Sequence, residues 1–308
     1  MKTAIIYHRV DWDGYTAAAV ALRAFPDAEL IGWNYRDPLP DVDHFDRVIL
    51  VDLTIYSQKP DEPRDFSWMI NNQDRLIWFD HHPIIHMVPG EYCGVQKEGI
   101  GACWLVYEYF RKTRGITCSG EDHIRYAATF DVFRKDGWLC DWEDAWAYQL
   151  YLNHFGPGYV FGEGDVSKKH VATASALIEA SDVEINNHLN DGRMFEYERS
   201  LREKVVFEKH ARRVKINEYE GWLVETMEQP SVIIKDHSDA GDGDFFILFS
   251  ENKKNANGDY TVSIRVPDSS DFNAQRFCES HGGGGYIKAA GCVISSNEMQ
   301  EKFGLLVD

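Results

Sequence analysis

LIWFDHHP, Leu76 to Pro83, is an apolar run that breaks into an aspartate and two histidines. A strand points successive side chains to opposite faces, so His81 and His82 cannot both enter a core. The stretch reads as a strand that stops at Asp80 and presents three polar groups at its carboxyl end.

Upstream, the same pattern recurs. Short β-branched runs lie at TAIIY (3–7), AELIGW (28–33), RVILVD (47–52) and RLIWF (75–79), with helical stretches between them, the clearest being GYTAAAVALRAF (14–25). Strands alternating with helices predict a parallel sheet covered on both faces. In such sheets ligands bind outside the carboxyl ends of the strands. Three of these strands end in similar chemistry: His8 with Asp11 and Asp13, then Asp52, then Asp80, His81 and His82. Taken singly, HRVDWDG is a turn after a strand and DHH a helix cap. Taken together, at three strand ends of one sheet, they converge in space.

The helices that follow are amphipathic. GACWLVYEYF (101–110) gathers Ala102, Leu105, Val106, Tyr109 and Phe110 on one face. EDHIRYAATFDVF (121–133) places Asp131 with Ile124, Ala127 and Ala128, and a carboxylate on an inward face needs a cation or a metal as partner. Asp136, in RKDGW, is the competing carboxylate, but KDG reads as a turn whose aspartate bonds locally. Further helices are predicted near 142–153 and 168–180, and a long charged one over 191–213. Beyond it the chain turns strand-like at GWLVETM (221–227), SVIIK (231–235), DFFILFS (244–250) and DYTVSIRV (259–266). A short helix, AQRFCES (274–280), then precedes HGGGGYIKAAGCVIS (281–295). The predicted fold class is α/β and two-lobed. A parallel-sheet domain spans 1–185, a helical linker 186–214, and a smaller mixed-sheet α/β domain 215–308.

The chain has 308 residues, enough for two domains, and a net charge of -18. That balance opposes a grip on long duplex nucleic acid, which relies on many Lys and Arg contacts to phosphates. It leaves room for a small anion held by local cations or a metal. No stretch approaches the roughly 18 apolar residues of a membrane span, and MKTAIIYHRV is too short an apolar run for a signal peptide. The six scattered cysteines form no C-x-x-C pair and read as reduced thiols of a cytoplasmic protein.

Imidazoles and carboxylates without thiolates suit hard or borderline divalent ions: Mn, with Mg, Fe and Zn as alternatives. The candidates suffice for two ions sharing one carboxylate, the arrangement that serves in-line displacement at phosphorus. In the second lobe, Gly282, Gly283, Gly284 and Gly285 allow close approach of backbone to a ligand, and successive N–H groups there can nest a phosphate. Arg265 at a strand end and Lys288 just beyond the glycines add positive charge.

These motifs, in this order, resemble the DHH phosphoesterase family, in the branch with the DHH-associated C-terminal domain that includes RecJ-type exonucleases and nano-RNases. HRVDWDG, VDLT (51–54), DHH (80–82) and Asp131 in AATFDVF match its four N-terminal motifs. VSIRV with GGGGYIKAAG matches its C-terminal pattern, so the resemblance covers nearly the whole chain. It implies one metal site from His8, Asp11 and Asp52, and another from Asp13, Asp52 as a bridge, His81 and Asp131. It further implies His82 beside the substrate phosphate and Asp80 orienting a histidine. Arg265, Gly282–Gly285, Tyr286 and Lys288 would hold the substrate. Two positions depart from the family pattern. Two residues rather than three separate His8 from Asp11, and Tyr286 stands where the family has histidine, with His281 or Lys288 as substitutes for its charge. Tyr286 can donate a hydrogen bond or offer a ring to a base.

The activity implied is metal-dependent hydrolysis of short 5′-phosphorylated oligonucleotides to mononucleotides by a hydroxide that two metal ions activate. The alternatives are a 3′-phosphoadenosine-5′-phosphate phosphatase, a phosphodiesterase for linear or cyclic dinucleotides, and a nucleotide-binding regulatory module without catalysis. The expected partners are a short oligonucleotide or dinucleotide, with no membrane and with a homodimer left open.

Overall fold

The computed structural model describes residues 1–35, 37–57, 63–155, 164–225, 243–252 and 259–304. The chain divides into two compact units, Met1–Glu196 and Tyr197–Asp308.

In the first unit five parallel strands run in the order β2-β1-β3-β4-β5: β1 (Thr3–His8), β2 (Glu29–Trp33), β3 (Arg47–Val51), β4 (Leu76–Asp80) and β5 (Cys93–Gln96). The parallel sheet covered on both faces that the sequence predicts is what the unit adopts. Its central strands bury both faces. Ile5, Tyr7, Ile49 and Val51 enter one apolar cluster, while their neighbours Ala4, Ile6, Val48 and Leu50 enter another. That two-sided burial is why these runs lack polar alternation. The first cluster is completed by α1 (Trp12–Ala24), α3 (Ala102–Arg114), α4 (Glu121–Asp131), α5 (Trp142–Phe155) and α6 (Gly164–Leu177). The second packs Trp33, Trp78 and Met69, the last from the short α2 (Ser67–Asn72).

β5 has no counterpart in the sequence reading. Cys93-Gly94-Val95-Gln96 is too short for a period, and only its pairing with β4 makes it a strand. The strand order places the reversal of winding between β1 and β3. A crevice therefore opens at their carboxyl ends.

α7 (Asp182–His210) contains the boundary between the units and is longer than the predicted 191–213 at its start, shorter at its end. Arg212–Ile216 is instead a strand, β6, because Val214 and Ile216 alternate with Arg213 and Lys215 and pair antiparallel with β7 (Tyr219–Glu225). The sheet continues through β8 (Phe246–Glu251), β9 (Tyr260–Arg265), β11 (Ala289–Ile294) and β10 (Gly284–Tyr286). The β7–β8 pair is parallel and the others antiparallel, a mixed sheet as expected. Helices α8 (Ala274–Glu279) and α9 (Ser296–Phe303) complete the unit. The predicted strand at 231–235 lies outside the described residues. All six cysteines are free. Among the described residues no helix is long and apolar enough to cross a membrane.

Candidate metal centre

The carboxyl ends of β1, β3 and β4 carry the polar residues singled out from the sequence. His8 is the last residue of β1, Asp52 follows β3, and Asp80 ends β4 with His81 and His82 next in the chain. Asp11 caps α1, accepting from the Gly14 N–H at 2.8 Å, and Asp13 lies in that helix's first turn. Asp131 closes α4.

These elements bring the donors together in two groups that share Asp52. His8 Nδ1 lies 2.7 Å from Asp11 Oδ2 and 3.3 Å from Asp52 Oδ2. His81 Nε2 lies 3.2 Å from Asp52 Oδ1, 3.0 Å from Asp131 Oδ2 and 3.7 Å from Asp13 Oδ2. Within each of the sets His8–Asp11–Asp52, Asp13–His81–Asp131 and Asp52–His81–His82, one donor atom per residue lies within 4.8 Å of the others. Asp136, by contrast, is exposed and turned to Arg134 and to the Trp138 N–H.

The electrostatics are those of carboxylates crowded without a strong cation. Burial, reinforced by Asp52, pushes Asp13 up to about 7, although the Cys103 N–H and His81 oppose it. Burial likewise pushes Asp131 up to about 6. Burial disfavours charge on the histidines too. It is outweighed at His8 by Asp11 and Asp52, which hold that pKa up at about 11, and at His81 by Asp131, Asp52 and Asp13, which hold it up at about 12. Burial opposes ionisation of Asp11 as well, but the charge and hydrogen bond of His8 pull its pKa down to about 2. Protonated imidazoles are the positive charges in direct contact with these acids, which is what a pair of divalent cations replaces.

A second layer fixes these groups. Asp80 is fully buried and accepts from the Thr54 hydroxyl at 2.5 Å, the His81 N–H at 2.7 Å, the His82 N–H at 3.1 Å and His82 Nδ1 at 2.7 Å. The Nδ1 contact makes that nitrogen the donor and leaves His82 Nε2 unprotonated in the neutral ring. Asp13 accepts from the Ala102 and Cys103 N–H groups, 2.6 and 2.9 Å away, at the start of α3. Tyr35 packs its ring 5.7 Å from that of His8. Sequence reasoning missed Thr54, Tyr35 and the α3 amides as parts of the site. VDLT held a signal for the threonine, and Gly101, the residue before α3, one for the amides.

In the second unit, Arg265, Ala289 and Tyr286 are successive cross-strand partners on β9, β11 and β10, so they share one sheet face. Arg265 donates to Ser263 Oγ at 2.8 Å and to the Ile264 carbonyl at 3.0 Å, and Tyr286 is 80% exposed. Gly282 and Gly283 precede β10, while Gly284 and Gly285 lie inside it. Lys288 turns its ammonium to the carbonyls of Pro267 and Ser270, and so is tied to the loop after β9.

No family model matches the chain, and no curated protein matches it. Among solved structures, PggH, a pGpG-specific phosphodiesterase from Vibrio cholerae, superposes with a TM-score of 0.56 at 16% identity, covering 97% of this chain and 94% of that one. The chain shares its fold with this phosphodiesterase, in line with the resemblance to DHH phosphoesterases carried by its motifs. RecJ from Thermus thermophilus in complex with Mn²⁺ aligns with a TM-score of 0.46 at 16% identity, covering 96% of this chain and 50% of that one.

On this fold the donor chemistry suits divalent metal. Each group offers one imidazole nitrogen and carboxylate oxygens from two or three aspartates, with no thiolate in either. Such oxygen-rich sets favour hard and borderline ions. Asp52, 1% exposed, is the residue whose two oxygens face the two groups separately.

Proposed function

We propose that the chain is a metal-dependent phosphodiesterase that hydrolyses short 5′-phosphorylated oligonucleotides, dinucleotides included, to mononucleotides. The observation that carries this reading is the placement of Asp52 between His8 and His81, a shared carboxylate between two donor sets. His8, Asp11 and Asp52 would hold one ion, and Asp13, Asp52, His81 and Asp131 the other. Two divalent ions bound there supply Lewis acidity to phosphoryl oxygens and lower the pKa of water. Mn²⁺ is the proposed ion, on the mixed imidazole and carboxylate donors.

The chain's own groups do the rest. Asp80 holds His82 through Nδ1 and favours its doubly protonated ring, whose Nε2–H would contact a phosphate oxygen or hand a proton to the leaving oxygen. Asp13 is held by backbone N–H groups and cannot swing away from His81. In the second unit the Gly282 and Gly283 N–H groups donate to the Glu279 and Cys278 carbonyls, so Arg265 would take an anionic group, Tyr286 a base or a phosphate oxygen, and Lys288 would hold the loop beside them. The net charge of -18 suits a short substrate better than a long one.

A dinucleotide preference is the second reading, favoured by the pGpG specificity of the fold neighbour PggH. The two are separated by product analysis with Mn²⁺ and 5′-labelled RNAs from dinucleotide upward, beside a cyclic dinucleotide and 3′-phosphoadenosine-5′-phosphate. Mononucleotides from the shortest RNAs support the leading reading, and turnover of the dinucleotide alone supports the second. Activity confined to the bisphosphate or the cyclic dinucleotide, or none at all, overturns both.

A further inference from the structure

Helix α4 ends in a backbone turn that its sequence does not favour. The Arg134 N–H reaches the Thr129 carbonyl and the Phe133 N–H reaches the Phe130 carbonyl, both at 3.1 Å. That pair of bonds demands a left-handed residue at Phe133, whose φ is +50°. Glycine is the usual occupant, since a side chain there crowds its own backbone. Elsewhere in this chain the rule holds: α3 ends on Gly115 and α9 on Gly304, both at φ +66°. At α4 a bulky aromatic takes the strained position.

Packing does not account for it. Phe133 touches the rings of Phe130 and Trp142, at 5.6 and 5.7 Å between centroids, yet remains 61% exposed. It stands two residues from Asp131, which contacts His81 in the candidate metal centre. The surface around it is aromatic and carries both signs of charge, Arg134 being paired with Asp136. Trp138, 47% exposed, lies under the Arg134 guanidinium at 4.5 Å, and the Lys135 ammonium sits 5.5 Å over Trp142. In a chain of net charge -18, an exposed aromatic surface with the Lys135 ammonium beside the acidic donors matches a ligand with a flat ring and a phosphate.

We propose that Phe133, backed by Trp142, is a stacking platform for a nucleobase of the substrate, with Lys135 beside it for a neighbouring phosphate. The proposal deepens the phosphodiesterase reading and rests on it for the substrate class. It makes Phe133 a binding and specificity residue, and the strained turn is the means of holding its ring outward.

The test is binding, measured on the Mn²⁺-loaded full chain by calorimetric titration with guanosine 5′-monophosphate and with ribose 5-phosphate, which lacks the base. Wild type is expected to bind the nucleotide at least about tenfold tighter than the sugar phosphate. Phe133→Gly, which relieves the backbone and so folds at least as stably, is expected to erase that advantage. Its affinities for ribose 5-phosphate and for Mn²⁺ should stay at wild-type values, and Phe133→Trp should retain the preference for the base. A Phe133→Gly protein that keeps the advantage, or a wild type that shows none, overturns the proposal. If the advantage depends on Phe133 but no phosphodiester is cleaved, the stacking site stands and the catalytic reading falls.

Discussion

Asp52 meets His81 through Oδ1 at 3.2 Å and leaves Oδ2 turned to His8, from a backbone at φ +61°. Left-handed backbone at a non-glycine residue is uncommon, and aspartate and asparagine tolerate it best. Asp52→Asn therefore keeps the backbone while removing the charge that both metal sets share. The expected result is a loss of phosphodiester hydrolysis by more than about a hundredfold, with the melting temperature of the metal-free protein unchanged or raised. A variant with near wild-type turnover would remove Asp52 from the centre.

Thr54 donates to a carboxylate, Asp80, that is fully buried and that positions His82. Thr54→Val keeps the side-chain shape and deletes the donor. Stability should fall by about 1–3 kcal/mol, and activity by about 10–100-fold, through a misplaced His82. Denaturant unfolding and steady-state kinetics read the two effects separately. Unchanged kinetics with lost stability would confine Thr54 to the fold.

Without metal, Asp13 and Asp131 hold their protons up to about 7 and about 6, chiefly because they are buried. The unfolded chain releases such protons near the ordinary carboxylate value of about 3.9. Between these limits the folded chain binds more protons than the unfolded one, so stability falls as pH rises from about 4 to about 7. His8 and His81 continue the trend. Their stabilising charge is fully present below about pH 6.5 and is lost as pH climbs toward about 11 and about 12. The chelated protein should melt lower at pH ~8 than at pH ~5, and Mn²⁺ should raise the melting temperature more at the higher pH. Asp13→Asn should flatten the slope and shrink the gain from Mn²⁺. A chelated protein that melts higher at the alkaline end would contradict the assignment.

Two adjacent glycines separate structure from ligand binding. A side chain at Gly283 would collide with the Gly291 carbonyl and the Cys292 backbone, whereas one at Gly284 would meet nothing within 4 Å. Gly283→Ala should cost about 1–3 kcal/mol by forcing β10 off β11. Gly284→Ala should leave stability within about 0.5 kcal/mol of wild type and raise KM. An unchanged KM for Gly284→Ala would mean that the glycine run serves the hairpin alone.

From the sequence by itself came the α/β class, four of the five strands of the first unit, and the gathering of His8, Asp52, Asp80, His81 and His82 at strand ends. The physical reason is periodicity: buried parallel strands must be continuously apolar, so an aspartate or histidine in register marks where a strand stops. The preference for Asp131 over Asp136 was legible on the same ground, from helical spacing and turn chemistry. Tertiary structure decided what no local pattern encodes. β5 and β6 exist because a neighbouring strand pairs with them. Thr54 acts on Asp80 across 26 positions of sequence, and the amides of α3 hold Asp13 from 89 and 90 positions away. The left-handed turn at Phe133 follows from how α4 ends, and a residue string does not carry φ. Local propensity is written in neighbouring residues, whereas the partners of a buried charge are settled only when distant segments pack against it.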